Sequence, residues 1–201
     1  MSRADSSELG ERQDAAAELR RLAQGLALPR TVALVGLMGA GKTTVGRRLA
    51  HALTLPFVDA DDAITTAAGR SIEDIFAERG ECEFRRGERQ VIARLLAGPV
   101  HVMATGGGAF INDNTRALMK EQAITIWLRA PLDVLMKRVA KRDHRPLLKE
   151  DDPNAVMRRL MDERYPIYAE ADLTVDTANG PHHTAVVAIL AALREYLGQP
   201  R

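Results

Sequence analysis

Short apolar runs alternate along the chain with longer stretches in which apolar positions fall at helical spacing. TVALV, Thr31 to Val35, is apolar and β-branched and reads as a buried strand, followed by a helix over VGRRLAHAL, Val45 to Leu53. LPFVDADD predicts a second strand, Pro56 to Asp59, that ends in acidic residues. SIEDIFAERG reads as a helix capped by Ser71 with Glu73 and Asp74 in its first turn, and a longer helix follows from Glu81 to about Ala97. PVHVMAT is a third strand stopping at Gly106, Gly107 and Gly108, and AITIWLR is a fourth. PLDVLMKRVAKR is a helix started by Pro131, DLTVD is a fifth strand, and a last helix covers roughly His183 to Leu197.

Strands alternating with helices predict an α/β fold, a three-layer α/β/α sandwich around a five-stranded parallel sheet with right-handed crossovers. Ligands of such sheets lie beyond the carboxyl ends of the strands, which brings Gly36 to Thr43, Asp59 to Asp62 and Gly106 to Gly108 to one edge. Two stretches fall outside the pattern. Residues 1–29 form an extension with a polar start and a short amphipathic helix carrying Leu19, Leu22 and Leu26, ahead of a domain over 30–201. DHRPLLKEDDP, residues 143–153, reads as a mobile excursion from that domain.

A chain of 201 residues with 46% hydrophobic composition can bury one sizeable core, which favours a single domain. The formal charge of +1 sets 28 basic against 27 acidic residues, so the total demands neither nucleic acid nor an anionic membrane. One cysteine, Cys82, excludes an intramolecular disulfide and fits a reducing compartment. No apolar run approaches the roughly 18 residues of a membrane span and no secretion signal opens the chain, so a cytoplasmic protein is expected.

The sharpest chemistry lies in GLMGAGKTT, Gly36 to Thr44, which fits G-x-x-x-x-G-K-[ST] between a strand and a helix. Backbone N–H groups from Gly39, Ala40, Gly41, Lys42, Thr43 and Thr44 would turn toward phosphate oxygens, with the positive end of the following helix behind them. Lys42 would reach the β- and γ-phosphates, and the Thr43 hydroxyl is placed to ligate Mg²⁺. The strand before Gly106 ends in Ala104 and Thr105 without a carboxylate, so Asp59 is the better second partner for the ion. Asp61 would face the same way in an extended chain; an acidic loop without ligands is the alternative for this pair. Arg85 and Glu88 lie three apart and share a helix face, as a surface ion pair also would. Arg164 precedes Tyr165 and Pro166, where proline predicts the end of a helix. The adjacent His182 and His183 point in different directions and make a poor metal site, His144 sits in the excursion, and Trp127 reads as core.

Taken together these pieces resemble the shikimate kinase family, from about Thr31 to Leu197. GLMGAGKT, the D-A-D of Asp59 to Asp61, F-R-R-G-E from Phe84 to Glu88, the glycine triplet, RPLL from Arg145 to Leu148 and ERYPIY from Glu163 to Tyr168 occur in the family's order. The resemblance implies a P-loop kinase fold with a mobile lid. It also implies ATP as co-substrate with Mg²⁺ as cofactor, and transfer of phosphate to the 3-hydroxyl of shikimate on the route to chorismate and the aromatic amino acids. By the same resemblance Asp59 serves the Mg²⁺ shell, Asp61 binds the acceptor hydroxyl, Arg85 and Arg164 grip its carboxylate, and Gly107 gives it a backbone contact. Arg145 belongs to the lid and joins Lys42 and Asp61 in catalysis, while Arg138 lies against adenine. Pro181, in the loosely matching DTANGP, is its neighbour. The expected partners are shikimate and ATP, with no nucleic acid and no membrane, and the expected state is a monomer. A gluconate-type kinase of the same fold and a nucleotide-binding homologue without turnover remain as alternatives.

Overall fold

A computed structural model of the chain describes residues 14–140, 152–177 and 180–198. Five strands, β1 (Thr31–Val35), β2 (Phe57–Asp59), β3 (Val102–Ala104), β4 (Ala123–Arg129) and β5 (Leu173–Asp176), form one sheet in the order β2-β3-β1-β4-β5. Every pairing is parallel, with Ala33 of β1 opposite Met103 of β3 on one side and Thr125 of β4 on the other. β1 lies at the centre, and all five of its residues are buried, which is why TVALV is apolar on both faces.

Helices cover the sheet. Among the described residues they are α1 (residues 14–23), α2 (Lys42–Leu53), α3 (Ala60–Ala68), α4 (Ile72–Leu96), α5 (Asp113–Gln122), α6 (Leu132–Val139), α7 (Pro153–Tyr168) and α8 (His182–Tyr196). Their buried positions join one core with the strands, including Leu34, Leu49, Phe110, Ile126, Leu135 and Ile189. The α/β sandwich with its all-parallel sheet is therefore the architecture that the alternating pattern predicts. None of the described helices is long and apolar enough to cross a membrane.

Three local features depart from the expectations and one bears them out. The acidic loop after β2 is a helix start: Asp59 caps α3, its side chain accepting the Asp61 N–H at 3.2 Å, so Asp61 stands in a first helical turn and not on an extended chain. Helix α5 went unread because DNTRALMKEQ is mostly polar and buries only Thr115 and Met119, although Asn112 caps it. The two helices expected between Ser71 and Ala97 are both present within α4, separated at Gly80, whose backbone is non-helical (φ 75°, ψ 173°), and Ser71 caps the first of them as expected. Pro166 does not end its helix. It lies in the last turn of α7, where it forfeits the hydrogen bond that an N–H there would make to the Asp162 carbonyl, and the turn still closes through the Ala169 N–H on the Tyr165 carbonyl at 3.0 Å.

The extension docks on this domain. Leu19 and Ala23 of α1 are buried in the main core, with Leu22, Leu26 and Leu28 packed beside them. Arg194 of α8 donates to the carbonyls of Leu22 at 2.9 Å and Gln24 at 2.5 Å, which closes the end of α1.

Candidate active site

The strand order reverses at β1, between β3 and β4, and the crevice beyond the carboxyl ends opens there. It holds a cavity of about 700 Å³ lined by residues from the loop after β1, the β2–α3 junction, the loop after β3, α6 and the start of α8. Gly39, Gly41, Lys42, Thr43, Thr44, Asp59, Asp61, Gly107 and Arg138 all line this one cavity.

On the β1 side, Gly41 adopts φ 97° and opens α2, a left-handed turn that L side chains resist. The turn aims the first N–H groups of α2 into the cavity, where the helix dipole favours an anion. The ammonium of Lys42 donates to the carbonyls of Gly36 at 2.7 Å and Leu37 at 3.0 Å, so it is parked across the loop it belongs to. Ala40 has its side chain in the core.

On the acidic side, the Thr43 hydroxyl donates to Asp59 Oδ2 at 2.9 Å. This joins the first turn of α2 to the cap of α3. Asp61 and Asp62, in the first turn of α3, line the cavity next to them.

The glycine triplet packs against three of the expected acceptor residues. A Cβ on Gly106 would stand 2.7 Å from Asp61 Oδ1 and 3.4 Å from Glu88 Oε1, one on Gly107 would stand 3.9 Å from Arg164 Nη1, and one on Gly108 would overlap the Arg85 guanidinium. A side chain at 108 would displace the Arg85 guanidinium from this position. Arg85, on α4, donates to Glu88 at 2.8 Å and to Glu81 at 3.2 Å. Burial pulls its guanidinium down, and the hydrogen bond and charge of Glu88 outweigh that, holding it above its ordinary value. Glu88 is only 1% exposed; burial pushes its carboxyl above the usual range, against the pull of Arg85. Arg164, half-buried on α7, stands beside Tyr168, whose hydroxyl donates to the Gly107 carbonyl. Burial pushes that phenol up to about 12, with the charge and hydrogen bond of Arg164 opposing.

At the opposite end, Arg138 of α6 donates to the carbonyls of Gly39 at 3.4 Å and Ala40 at 3.3 Å, and burial lowers its pKa. Pro181 precedes α8 and is exposed; its neighbours Gly180 and His182, not Pro181 itself, line the cavity. Arg145, His144 and all of the expected lid up to Asp151 lie outside the described residues. Trp127 is buried in β4 and Cys82 is an exposed free thiol on α4.

Two residues of the site escaped the sequence reading. Glu88 was visible only as a helical neighbour of Arg85, and nothing in the spacing distinguishes a buried positioning carboxylate from a surface ion pair. His182 was weighed only as half of a metal pair, and its place in the cavity follows from where α8 begins.

A family model described as shikimate kinase matches residues 38–194. The shikimate kinase of Caulobacter vibrioides is 57% identical over 166 residues, covering 83% of each chain. That of Paramagnetospirillum magneticum is 52% identical over 187 residues, 92% of this chain and 96% of its own, so this similarity reaches into the extension. The solved structure of the Acinetobacter baumannii shikimate kinase in complex with shikimate is 35% identical, covers 86% of this chain and 97% of its own, and superposes with a TM-score of 0.80.

Proposed function

The chain belongs to the shikimate kinase family, and from that membership we propose how its residues divide the work of transferring phosphate from ATP to shikimate. The observation that carries the reading is the meeting of Asp61, Arg85 and Arg164 around Gly106 to Gly108, at the rim of a cavity whose other wall is the phosphate loop.

Shikimate presents a carboxylate and ring hydroxyls. Two guanidinium groups, on α4 and α7, suit the carboxylate because each offers a planar fork of charge-assisted hydrogen bonds. Gripping that end leaves the 3-hydroxyl toward Asp61, which orients it and accepts its proton as the oxygen attacks. Gly107 gives the ring a close backbone neighbour. The bond from the 3-oxygen to the γ-phosphorus forms as the bond from that phosphorus to the β–γ bridging oxygen breaks, yielding shikimate 3-phosphate and ADP.

Catalysis of such a transfer is mostly positioning and charge neutralisation. The backbone of Gly39 to Thr44 cradles the phosphates, and Lys42 leaves the Gly36 and Leu37 carbonyls to meet the β- and γ-oxygens. Thr43 and Asp59 are the residues that would hold Mg²⁺: a hydroxyl and a carboxylate already hydrogen-bonded at 2.9 Å are hard oxygen donors, and the ion commonly takes one or two carboxylates with substrate phosphates and water. When bound it neutralises charge on the phosphate oxygens. Arg138 and Pro181 flank the adenine end, and Arg145 delivers a further charge from the lid.

We further propose a monomeric, cytoplasmic enzyme: all the site residues named come from one chain, and the lone cysteine suits a reducing compartment. A coupled ADP-release assay with shikimate, gluconate and nucleoside monophosphates at equal concentration tests the function. Turnover with shikimate alone is expected. A preference for gluconate, or nucleotide binding without turnover of any acceptor, overturns it.

A further inference from the structure

His182 is the first residue of α8 and lines the phosphate-loop cavity. A Cβ on Gly41 would stand 3.8 Å from His182 Cε1 and 3.8 Å from Arg138 Nη1, so the imidazole and the guanidinium flank the residue that opens α2. The N–H groups that follow Gly41 are the ones that would hold phosphate, and the imidazole lines the same cavity as they do. The neighbouring His183 turns away and faces Glu18 of α1 at 2.9 Å, so only one of the two histidines belongs to the cavity.

We propose that His182 is a nucleotide-binding residue that takes up a proton when the phosphates of ATP or ADP enter the cavity, so that nucleotide binds more tightly as the pH falls below neutral. The inference rests on the reading of this cavity as the nucleotide site.

The charges around His182 set the sign. In the free protein burial, with Arg48 of α2 and Arg138 of α6, keeps its pKa below the ordinary imidazole value, and the neutral ring predominates at pH 7. Lys42 and Lys137 line the same cavity and add to the positive side; the carboxylates of Asp59, Asp61 and Asp62 line it as well. An incoming di- or triphosphate places negative charge between the imidazole and the arginines, which favours the imidazolium. A group whose pKa is higher in the complex than in the free protein binds a proton with the ligand, and the affinity gained at low pH is about tenfold for each unit of the rise.

The test is ADP binding by calorimetry between about pH 8 and about pH 5.5, the range in which histidine titrates, for the wild type, His182→Asn and His183→Asn, with adenosine as the uncharged probe. Titration of ADP itself is common to all three proteins and cancels in their ratio. The wild type and His183→Asn are expected to gain about five- to tenfold more affinity for ADP than His182→Asn across that range. Wild-type binding heats should also report proton uptake in buffers of different ionisation enthalpy, and adenosine should bind independently of pH. Parallel pH profiles for the wild type and His182→Asn overturn the inference while leaving the nucleotide site intact; failure of the wild type to bind ADP at any pH overturns both. Shikimate binding checks that His182→Asn is folded. Where it is not, the His182 Cε1–H resonance of the wild type decides: an ADP-induced rise in its pKa supports the inference, and an unchanged pKa overturns it.

Discussion

Glu88→Gln separates what holds the fold from what holds the acceptor. The carboxylate is nearly sealed from solvent, accepts from Arg85 at 2.8 Å and stands against Gly106. A hydrogen bond between charged partners contributes about 1.5–3 kcal/mol and a neutral one about 0.5–1.5 kcal/mol, so an amide of the same shape forfeits about 1–1.5 kcal/mol of the hold on Arg85. If Arg85 must be held in one orientation to grip the carboxylate, the KM for shikimate rises about tenfold. The KM for ATP, whose contacts lie on the other wall, stays within about twofold. Stability moves the other way. Because burial raises the Glu88 pKa, its contribution to stability is present below the unfolded-state value and is lost as the pH rises through the folded-state value. At neutral pH the ionised carboxylate is therefore a net burden on the fold, which the neutral amide lacks. The variant should melt at or above the wild-type temperature at pH 7, and the difference should shrink toward pH 4, where both side chains are uncharged. Steady-state kinetics in both substrates and melting curves at the two pH values measure this. An unchanged KM for shikimate, or equal losses for both substrates, would refute the assignment of Glu88 as the residue that positions Arg85.

Arg164→Ala should raise the KM for shikimate far more than that for ATP, because its guanidinium stands beside Gly107 on the proposed acceptor side; equal losses in kinetics would count against it. Arg145→Ala should lower kcat by roughly 10³-fold while shikimate binding without nucleotide changes little, as expected of a charge delivered on closure, and a near-normal kcat would make RPLL an ordinary loop. Deleting residues 2–28 removes Leu19 and Ala23 from the core, so the protein should lose about 2–4 kcal/mol in denaturant titration yet keep its KM values; a folded truncation without turnover would show that the extension serves the site. Amide hydrogen exchange in α3 and α4 should slow on shikimate binding more than exchange in β1 and β4, and uniform protection would mean that the two regions move as one body.

What the sequence made legible was whatever depends on neighbours along the chain. TVALV, AITIWLR and the glycine-lysine loop announce their conformation within a few residues, and the parallel order of strands follows from the helices between them. Asp61 was placed at the right edge but on the wrong backbone, because an aspartate that caps a helix and one that ends a strand look alike until the following residues are weighed as a helical turn. Helix α5 failed for a related reason: a helix that buries only two residues leaves almost no hydrophobic period to read. Pro166 was over-read: it costs α7 one hydrogen bond to the preceding turn, yet the helix runs two residues past it to Tyr168. Contacts between distant segments were legible only through resemblance. No local rule says that Arg85, 23 positions earlier by number, lies where a side chain on Gly108 would displace it.

The packing gives a physical reason for taking the two arginines proposed to grip the acceptor from different helices. Arg164 sits on α7, whose Met157 and Tyr168 belong to the main core beneath the sheet. Arg85 sits on α4 beside Phe84, and Phe84 belongs to a separate small cluster with Ile64 and Val91 that joins α3 to α4. That lobe also carries the kink at Gly80 and the partly exposed Phe76, so it has less buried apolar surface to fix its position than the sheet has. A ligand gripped by one arginine from each region is a bridge between them, and part of its binding energy goes into holding the lobe still. Asp61, the proposed hydroxyl partner, lies in the first turn of α3 on the lobe side, while Lys42 begins α2 on the sheet side. On the proposed roles, seating the carboxylate would bring Asp61 toward Lys42 and so couple recognition of one end of the acceptor to reaction at the other.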